Sequence, residues 1–224
     1  MVCENGKRQK IVIRRGTPDD MDSLIDICHD SFPESLLWNS PRFFGRKWWK
    51  SVIASKSGEA WICINGERIA GFCVLITNTG RWNSEKSGRD MNLFALLLAA
   101  AFSPRFAIRR VREKIAGIGI ASADESLSTT PCNDNGTDTW IGLIAVSPQM
   151  RGRGFAKKML QFCEERTLQL HRNAIKLVVI PSNKSACRLY EGQGFIRTTY
   201  SSIGYVYKKV PGKQQGTTES NQQR

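Results

Sequence analysis

The sequence predicts a mixed α/β domain, a central mixed β-sheet of about six to seven strands flanked by helices. Three observations predict it. Leu143 to Leu160 passes from an apolar run through a glycine-bearing turn into a helical pattern. A second apolar run, Ala174 to Ile180, follows that helix. The strand–helix–strand order implies a right-handed crossover and parallel pairing. Farther upstream, Asn65-Gly66 separates two apolar runs, the strongest short signal for an antiparallel hairpin.

Taken in order, Lys10 to Arg14 alternates apolar and polar and reads as a first strand. Thr17-Pro18-Asp19-Asp20 is a helix start, with Thr17 as N-cap and acids in the first turn. That helix carries Met21, Leu24, Ile25, Ile27 and Cys28 on its buried side, and Phe32-Pro33-Glu34 breaks it. Ser40-Pro41 opens a second helix through Phe43, Phe44, Trp48, Trp49, Val52 and Ile53. Its aromatic face is either core packing with snorkelling bases or the wall of a substrate pocket. Ala60 to Ile64 and Arg68 to Thr77 are the arms of the hairpin. Residues 78–138 then interrupt the pattern: a polar stretch, an apolar then basic helical pair from Leu93 to Ile115, and a Ser/Thr/Asn/Asp-rich loop. Trp140 to Val146 is the central strand, and the helix from about Gly154 to His171 follows. After Ala174 to Ile180, a short helix runs from Asn183 to Gln193, and Gly194-Phe195 leads into a last hairpin turning near Ser201 to Gly204.

The length of 224 residues suits one domain, residues 1–210 with the insertion 78–138, and a Gly/Gln/Ser/Thr-rich tail, 211–224, that reads as disordered. The net charge of +13 predicts attraction to anions: a phosphorylated cofactor, a nucleic acid or an acidic membrane surface. No strand interleaves aromatics with bases, which argues against RNA. Seven cysteines, an odd count with no C-x-x-C pair, read as buried free thiols in a reducing, cytoplasmic compartment. With only His29 and His171 available, a metal site is not expected. Met1 to Lys10 has no apolar core and is not read as a signal peptide. The longest apolar block, Leu93 to Phe102, is too short for the roughly 20 residues that a membrane span takes.

The chemistry concentrates in the turn after the central strand. Pro148 stops the strand, and Gln149, Arg151, Gly152, Arg153 and Gly154 lead into the helix at Phe155 and Ala156. The first N–H groups of a helix lack internal partners, and the two glycines let a ligand approach the backbone. The helix dipole and the arginines add positive potential, so the turn is a cradle for phosphate or pyrophosphate. It is neither a P-loop, since no Gly-Lys-Ser/Thr closes it, nor the three-glycine dinucleotide fingerprint.

Gln149-x-x-Gly152-x-Gly154 resembles the Arg/Gln-x-x-Gly-x-Gly/Ala acetyl-CoA motif of the GNAT superfamily of N-acetyltransferases. A second stretch, Asn183-x-x-Ala186-x-x-Leu189-Tyr190-x-x-x-Gly194-Phe195, is similar to that family's other signature. The resemblance covers most of the chain outside the long insertion, which falls between the third and fourth strands. It implies the GNAT fold, in which the fourth and fifth strands splay and the pantetheine arm of acetyl-CoA lies in the gap. It also implies that Ile144, Ala145 and Val146 contact the arm, Ile144 and Val146 through their backbones, with Val146 N–H facing the thioester carbonyl. The pyrophosphate would rest on the turn from Gln149 to Ala156, Asn183 would cap its helix and reach the arm, and Tyr190 would protonate the leaving thiolate as general acid. Many relatives place a glutamate base on the central strand, but Trp140, Ile141, Gly142 and Leu143 include no carboxylate, and neither Asp138, Glu34 nor Glu59 can be assigned that role.

The reading is an N-acetyltransferase moving an acetyl group from acetyl-CoA to an amine, on a small molecule or a peptide, by direct attack. Its rival is a GNAT-like module that binds CoA or nucleic acid without turnover. Three uses of the insertion compete: a lid over the acceptor site, an interfacial membrane contact, or a homodimer contact.

Overall fold

The computed structural model describes residues 11–33, 35–85, 136–201 and 204–212. Seven strands form one sheet in the order β1-β2-β3-β4-β5-β7-β6. They are β1 (Ile11–Arg15), β2 (Gly58–Asn65), β3 (Arg68–Ile76), β4 (Thr139–Val146), β5 (Ile175–Val179), β6 (Ile196–Tyr200) and β7 (Tyr205–Lys209). All neighbours are antiparallel except β4 and β5. The Asn65-Gly66 turn is present, with Asn65 paired to Arg68 and Gly66 at φ +64°. The mixed sheet and its flanking helices agree with the predicted architecture.

One face of the sheet is covered by α1 (Met21–Ser31), α2 (Leu36–Asn39) and α3 (Arg42–Ile53). Asp20 anchors the start of α1: its carboxylate takes both terminal nitrogens of Arg14, at 2.8 and 2.9 Å, and the Thr17 backbone N–H at 2.7 Å. Leu24, Ile25, Ile27 and Cys28 of α1 are buried, as their spacing predicts. Trp38, Trp48 and Trp49 stack edge-on or tilted within 6.4 Å of one another, and Trp49 meets Phe72 of β3 at 4.9 Å. Trp48 and Trp49 are 6% and 0% exposed, so of the two readings of this aromatic face the structure supports core packing. The opposite face is covered by α5 (Phe155–Gln169) and α6 (Lys184–Gly192), packed through Met159, Leu160, Cys163, Cys187 and Tyr190.

Two element boundaries differ from expectation. The stretch after β3, read only as polar, contains a helix, α4 (Thr79–Ser84). Asn78 caps it by accepting from Arg81 N–H at 2.9 Å, and Trp82 supplies a buried anchor at 2% exposure. One tryptophan burying its whole ring against Gly58 outweighs the poor helix propensity of Gly80. The long helix stops at Gln169 rather than His171, because His171 turns to φ +52°. The helical pair and the loop expected over Leu93 to Thr139 lie outside the described residues up to residue 135, and so do the lid, membrane and dimer uses. Cys28, Cys63, Cys73, Cys163 and Cys187 are buried free thiols; Cys3 and Cys132 lie outside the described residues. Among the described residues no helix is long and apolar enough to cross a membrane.

Gly71 shows how tightly β3 and β4 are fitted. A β-carbon there would sit 2.5 Å from the Ala145 carbonyl oxygen and 3.0 Å from Met159 Cε. Gly71→Ala is therefore expected to destabilise the fold by roughly 1–3 kcal/mol through overpacking. Urea unfolding of the variant checks this; an unchanged midpoint would show that β4 yields freely.

Candidate functional site

β4 makes the site by abandoning one neighbour. Its parallel pairing with β5 covers Thr139↔Ile175, Trp140↔Lys176 and Ile141↔Leu177, and stops there. Beyond Ile141, β4 pairs with β3 alone, up to Gly71↔Val146. A bulge marks the change: Val74 faces Leu143 and Leu75 faces Ile141, leaving Gly142 as the extra residue. Sequence reading passed over Gly142, although an isolated glycine inside a strand is a recognised bulge signal.

The bulge resets which backbone groups face the gap. Thr139 N–H bonds Ala174 O on the β5 side, whereas Ser147 N–H bonds Ala70 O on the β3 side, both at 2.9 Å. Backbone groups alternate sides with period two. Counting back from Ser147, Ala145 and Leu143 face β3, and Ile144 and Val146 turn their N–H and C=O groups toward the gap. These are the two residues expected to hold the cofactor arm. Side chains alternate too: Ala145 points into the core under α1 and α3, while Ile144 and Val146 pack toward α5.

The gap runs into the glycine turn. Gly152 and Gly154 both adopt left-handed conformations, with φ +74° and +82°, which explains the residue type at each. Nothing lies within 4 Å of where their β-carbons would be. The first bond of α5 is Lys158 N–H to Gly154 O at 3.1 Å. The N–H groups of Phe155, Ala156 and Lys157 therefore have no backbone acceptor among the described residues. Arg151, Gly152, Arg153 and Gly154 are exposed around this open helix end, while Phe155 anchors it in the core at 4% exposure. The arrangement fits a pyrophosphate: unpaired N–H donors, no side chain in the way, and positive charge at a helix N-terminus. The Gln149 side-chain oxygen accepts from the Ser147 hydroxyl.

Asn183 caps α6 as its motif implies, accepting from Ala186 N–H at 3.1 Å. Tyr190, two turns on, is 6% exposed and packs against Phe195 and Tyr207 with ring centres 5.9 and 6.1 Å away. Burial raises its phenol above the ordinary tyrosine range, and the neighbouring Cys187 and Cys163 thiols add to that. It therefore stays protonated throughout the neutral range.

Two of the carboxylates left open by the sequence are engaged elsewhere, and Glu34 lies outside the described residues. Asp138 is 4% exposed and ion-paired to Lys176 at 2.6 Å. Glu59, 6% exposed, accepts from Arg166 at 2.7 and 2.9 Å, from Trp61 Nε1 at 2.9 Å and from Arg15 at 3.2 Å. Burial pushes its pKa up, but the Arg166 and Trp61 hydrogen bonds and the two guanidinium charges outweigh it and hold it below the ordinary value. A depressed carboxylate stabilises the fold above its unfolded pKa, about 4.3, and loses that contribution as pH falls through the lower folded value. Glu59→Gln is expected to cost roughly 2 kcal/mol at pH 7. The deficit should shrink in denaturant titrations as pH falls below the unfolded pKa and through the lower folded one; a pH-independent deficit would point to packing instead of charge.

The model of the acetyltransferase (GNAT) family matches residues 21–195. The chain belongs to that family. As a GNAT member it falls in a class of acyltransferases, and the fold recurs widely there. A Staphylococcus aureus Mu50 N-acetyltransferase superposes with a TM-score of 0.56 at 11% identity, covering 90% of this chain and 98% of its own. The aminoglycoside acetyltransferase AAC(6')-Ib, solved with coenzyme A, gives 0.56 at 14% identity, covering 90% and 95%. The ribosomal-protein-S18-alanine N-acetyltransferase of Escherichia coli gives 0.52 at 13% identity, covering 93% and 98%. In sequence, N-alpha-acetyltransferase 30 of Saccharomyces cerevisiae is 40% identical over 58 residues, 26% of this chain. The match spans about one third of that relative's length, 33%.

Proposed function

We propose that this GNAT protein is an N-acetyltransferase that transfers the acetyl group of acetyl-CoA to an amine by direct attack. The observation that carries the reading is the end of β4–β5 pairing at Ile141/Leu177, beside an open helix N-terminus. A pantetheine arm fits such a gap as a strand would, bonding the backbones of Ile144 and Val146. The pyrophosphate of acetyl-CoA then reaches the N–H groups from Gly152 to Ala156. Val146 N–H faces the thioester carbonyl and strengthens its bond as negative charge develops there. The amine nitrogen attacks the carbonyl carbon, the carbon–sulfur bond breaks, and Tyr190 places its proton on the departing sulfur. No carboxylate is assigned as base, so the amine arrives neutral, the N–H proton it loses on forming the amide passes to water, and Tyr190 regains a proton from solvent. Residues 1–210 form the catalytic domain, and the protein works in the cytoplasm. The coenzyme A complex of AAC(6')-Ib, which has the same fold, supports the cofactor. The segment shared with the yeast N-alpha-acetyltransferase supports a peptide α-amine as the first acceptor to try.

The test is release of free thiol from acetyl-CoA against a panel of amines: a peptide N-terminus, lysine, a polyamine, an amino sugar and an aminoglycoside. Turnover with one of these is the expected result. Tight CoA binding with no turnover on any would favour the rival reading, a non-catalytic CoA-binding module.

A further inference from the structure

The Arg151 side chain turns back from the cradle that its own backbone helps to form. Its Nε donates to the Val146 carbonyl and one terminal nitrogen donates to Ser31 Oγ, both at 3.2 Å. One side chain thus ties together the last residue of α1, the gap end of β4 and the glycine turn. The Val146 carbonyl it holds is one of the two that face the gap. Contact between the elements is wider than these bonds, because α1 also lies against β4 and against the turn Pro148–Met150. Arg153 contrasts with it, since the only hydrogen bond it makes among the described residues is to the Met150 thioether, at 3.9 Å.

We propose that Arg151 is a positioning residue that couples occupancy of the cradle to the order of the C-terminal end of α1. The inference rests on the acetyl-CoA reading above. A pyrophosphate held by the N–H groups from Gly152 onward fixes the backbone one residue after Arg151. With its Cα fixed, the guanidinium has fewer arrangements to lose in holding Ser31 and Val146, so both bonds strengthen without any new contact. The chain leaves α1 through Phe32-Pro33, and this exit is ordered at the same time. An acceptor that packs against the exit then meets a site already ordered, so acetyl-CoA binding first tightens the binding of the amine. By reciprocity the amine tightens acetyl-CoA by the same factor.

The test needs no acceptor: amide exchange of the full chain, with and without saturating CoA, read by NMR at Ser31 and Phe32. In the natural sequence CoA is expected to slow exchange there about fivefold, the low end of ordinary coupling. Ser31→Ala should lose that slowing and, by the same reciprocity, bind CoA no more than about fivefold more weakly than the parent. Arg151→Met, read at saturating CoA, should lose it as well, and the two variants together should show no greater loss than either alone. CoA binding that leaves Ser31 and Phe32 unchanged in the natural sequence overturns the coupling. So does slowing that persists in both variants. Failure of the natural sequence to bind CoA is a different result, and it removes the acetyl-CoA reading along with the inference built on it.

Discussion

Replacing Gly154 by valine is expected to weaken CoA binding by about 100-fold while leaving the protein folded. The reasoning separates two costs. Gly154 sits at φ +82° with open space around the missing side chain, so a substitution there meets conformational strain and no collision. A left-handed L-residue costs roughly 1–2 kcal/mol, more for a β-branched one. That is a fraction of the about 5–15 kcal/mol that holds a typical domain together. Binding suffers more. The valine methyls would stand at the mouth of the unpaired N–H groups of Phe155, Ala156 and Lys157. Each charge-assisted hydrogen bond lost is worth about 1.5–3 kcal/mol, and about 1.4 kcal/mol is tenfold in affinity. Calorimetric titration with CoA measures the loss. Gly154→Asn is the informative companion, because asparagine tolerates this backbone: it should regain stability and still bind CoA poorly. Undiminished affinity in Gly154→Val would mean that the pyrophosphate does not use this turn.

Tyr190→Phe should lower kcat by about 100-fold, the low end of general-acid contributions, with KM for acetyl-CoA little changed. The substitution removes one oxygen and keeps the ring that packs on Phe195 and Tyr207, so thermal stability should hardly move. Because burial raises the phenol, this proton should stay in place well past neutral pH, and Tyr190 should contribute no fall in kcat between pH 7 and 9. On the proposed mechanism, its hold on the proton makes transfer lag behind cleavage of the carbon–sulfur bond, with the phenol first hydrogen-bonding the thiolate. A thioester substrate whose thiol has a lower pKa needs that help less, and the penalty of the Phe variant should shrink with it. If Tyr190→Phe turns over at the parent rate, the proton comes from another group.

Much of this was legible in the sequence because local chemistry decided it. Asn65-Gly66 closes the hairpin, Gly152 and Gly154 stand where positive φ is demanded, and Asn183 caps the helix that carries Tyr190. These features depend on neighbours within a few positions. What escaped notice depended on distant partners. The helix over Thr79–Ser84 exists because Trp82 finds a pocket against Gly58, which no local pattern reveals. Glu59 sits among Arg166, Trp61 and Arg15, two of them far along the chain, so its engagement could not be foreseen. Arg151 was read as a ligand of the phosphate because its position in the motif is beside the glycines; where its side chain goes is set by Ser31, 120 residues away. Gly142 was the one signal present and unused.

The insertion of β7 between β5 and β6 has a consequence for how the chain is made. As synthesis proceeds, β5 emerges with a single companion, and it shares only three residue pairs with β4. Its other edge is filled by Tyr205 to Lys209, which leave the ribosome some thirty residues later, a delay of a few seconds at about 5–20 residues per second. Until then the half of the sheet beyond the crevice has no second seam, and a nascent chain stopped before Tyr205 would expose the Leu177 and Val179 strand along its full length. Termination codons between Ile180 and Tyr205 should therefore yield aggregates, not a shortened enzyme.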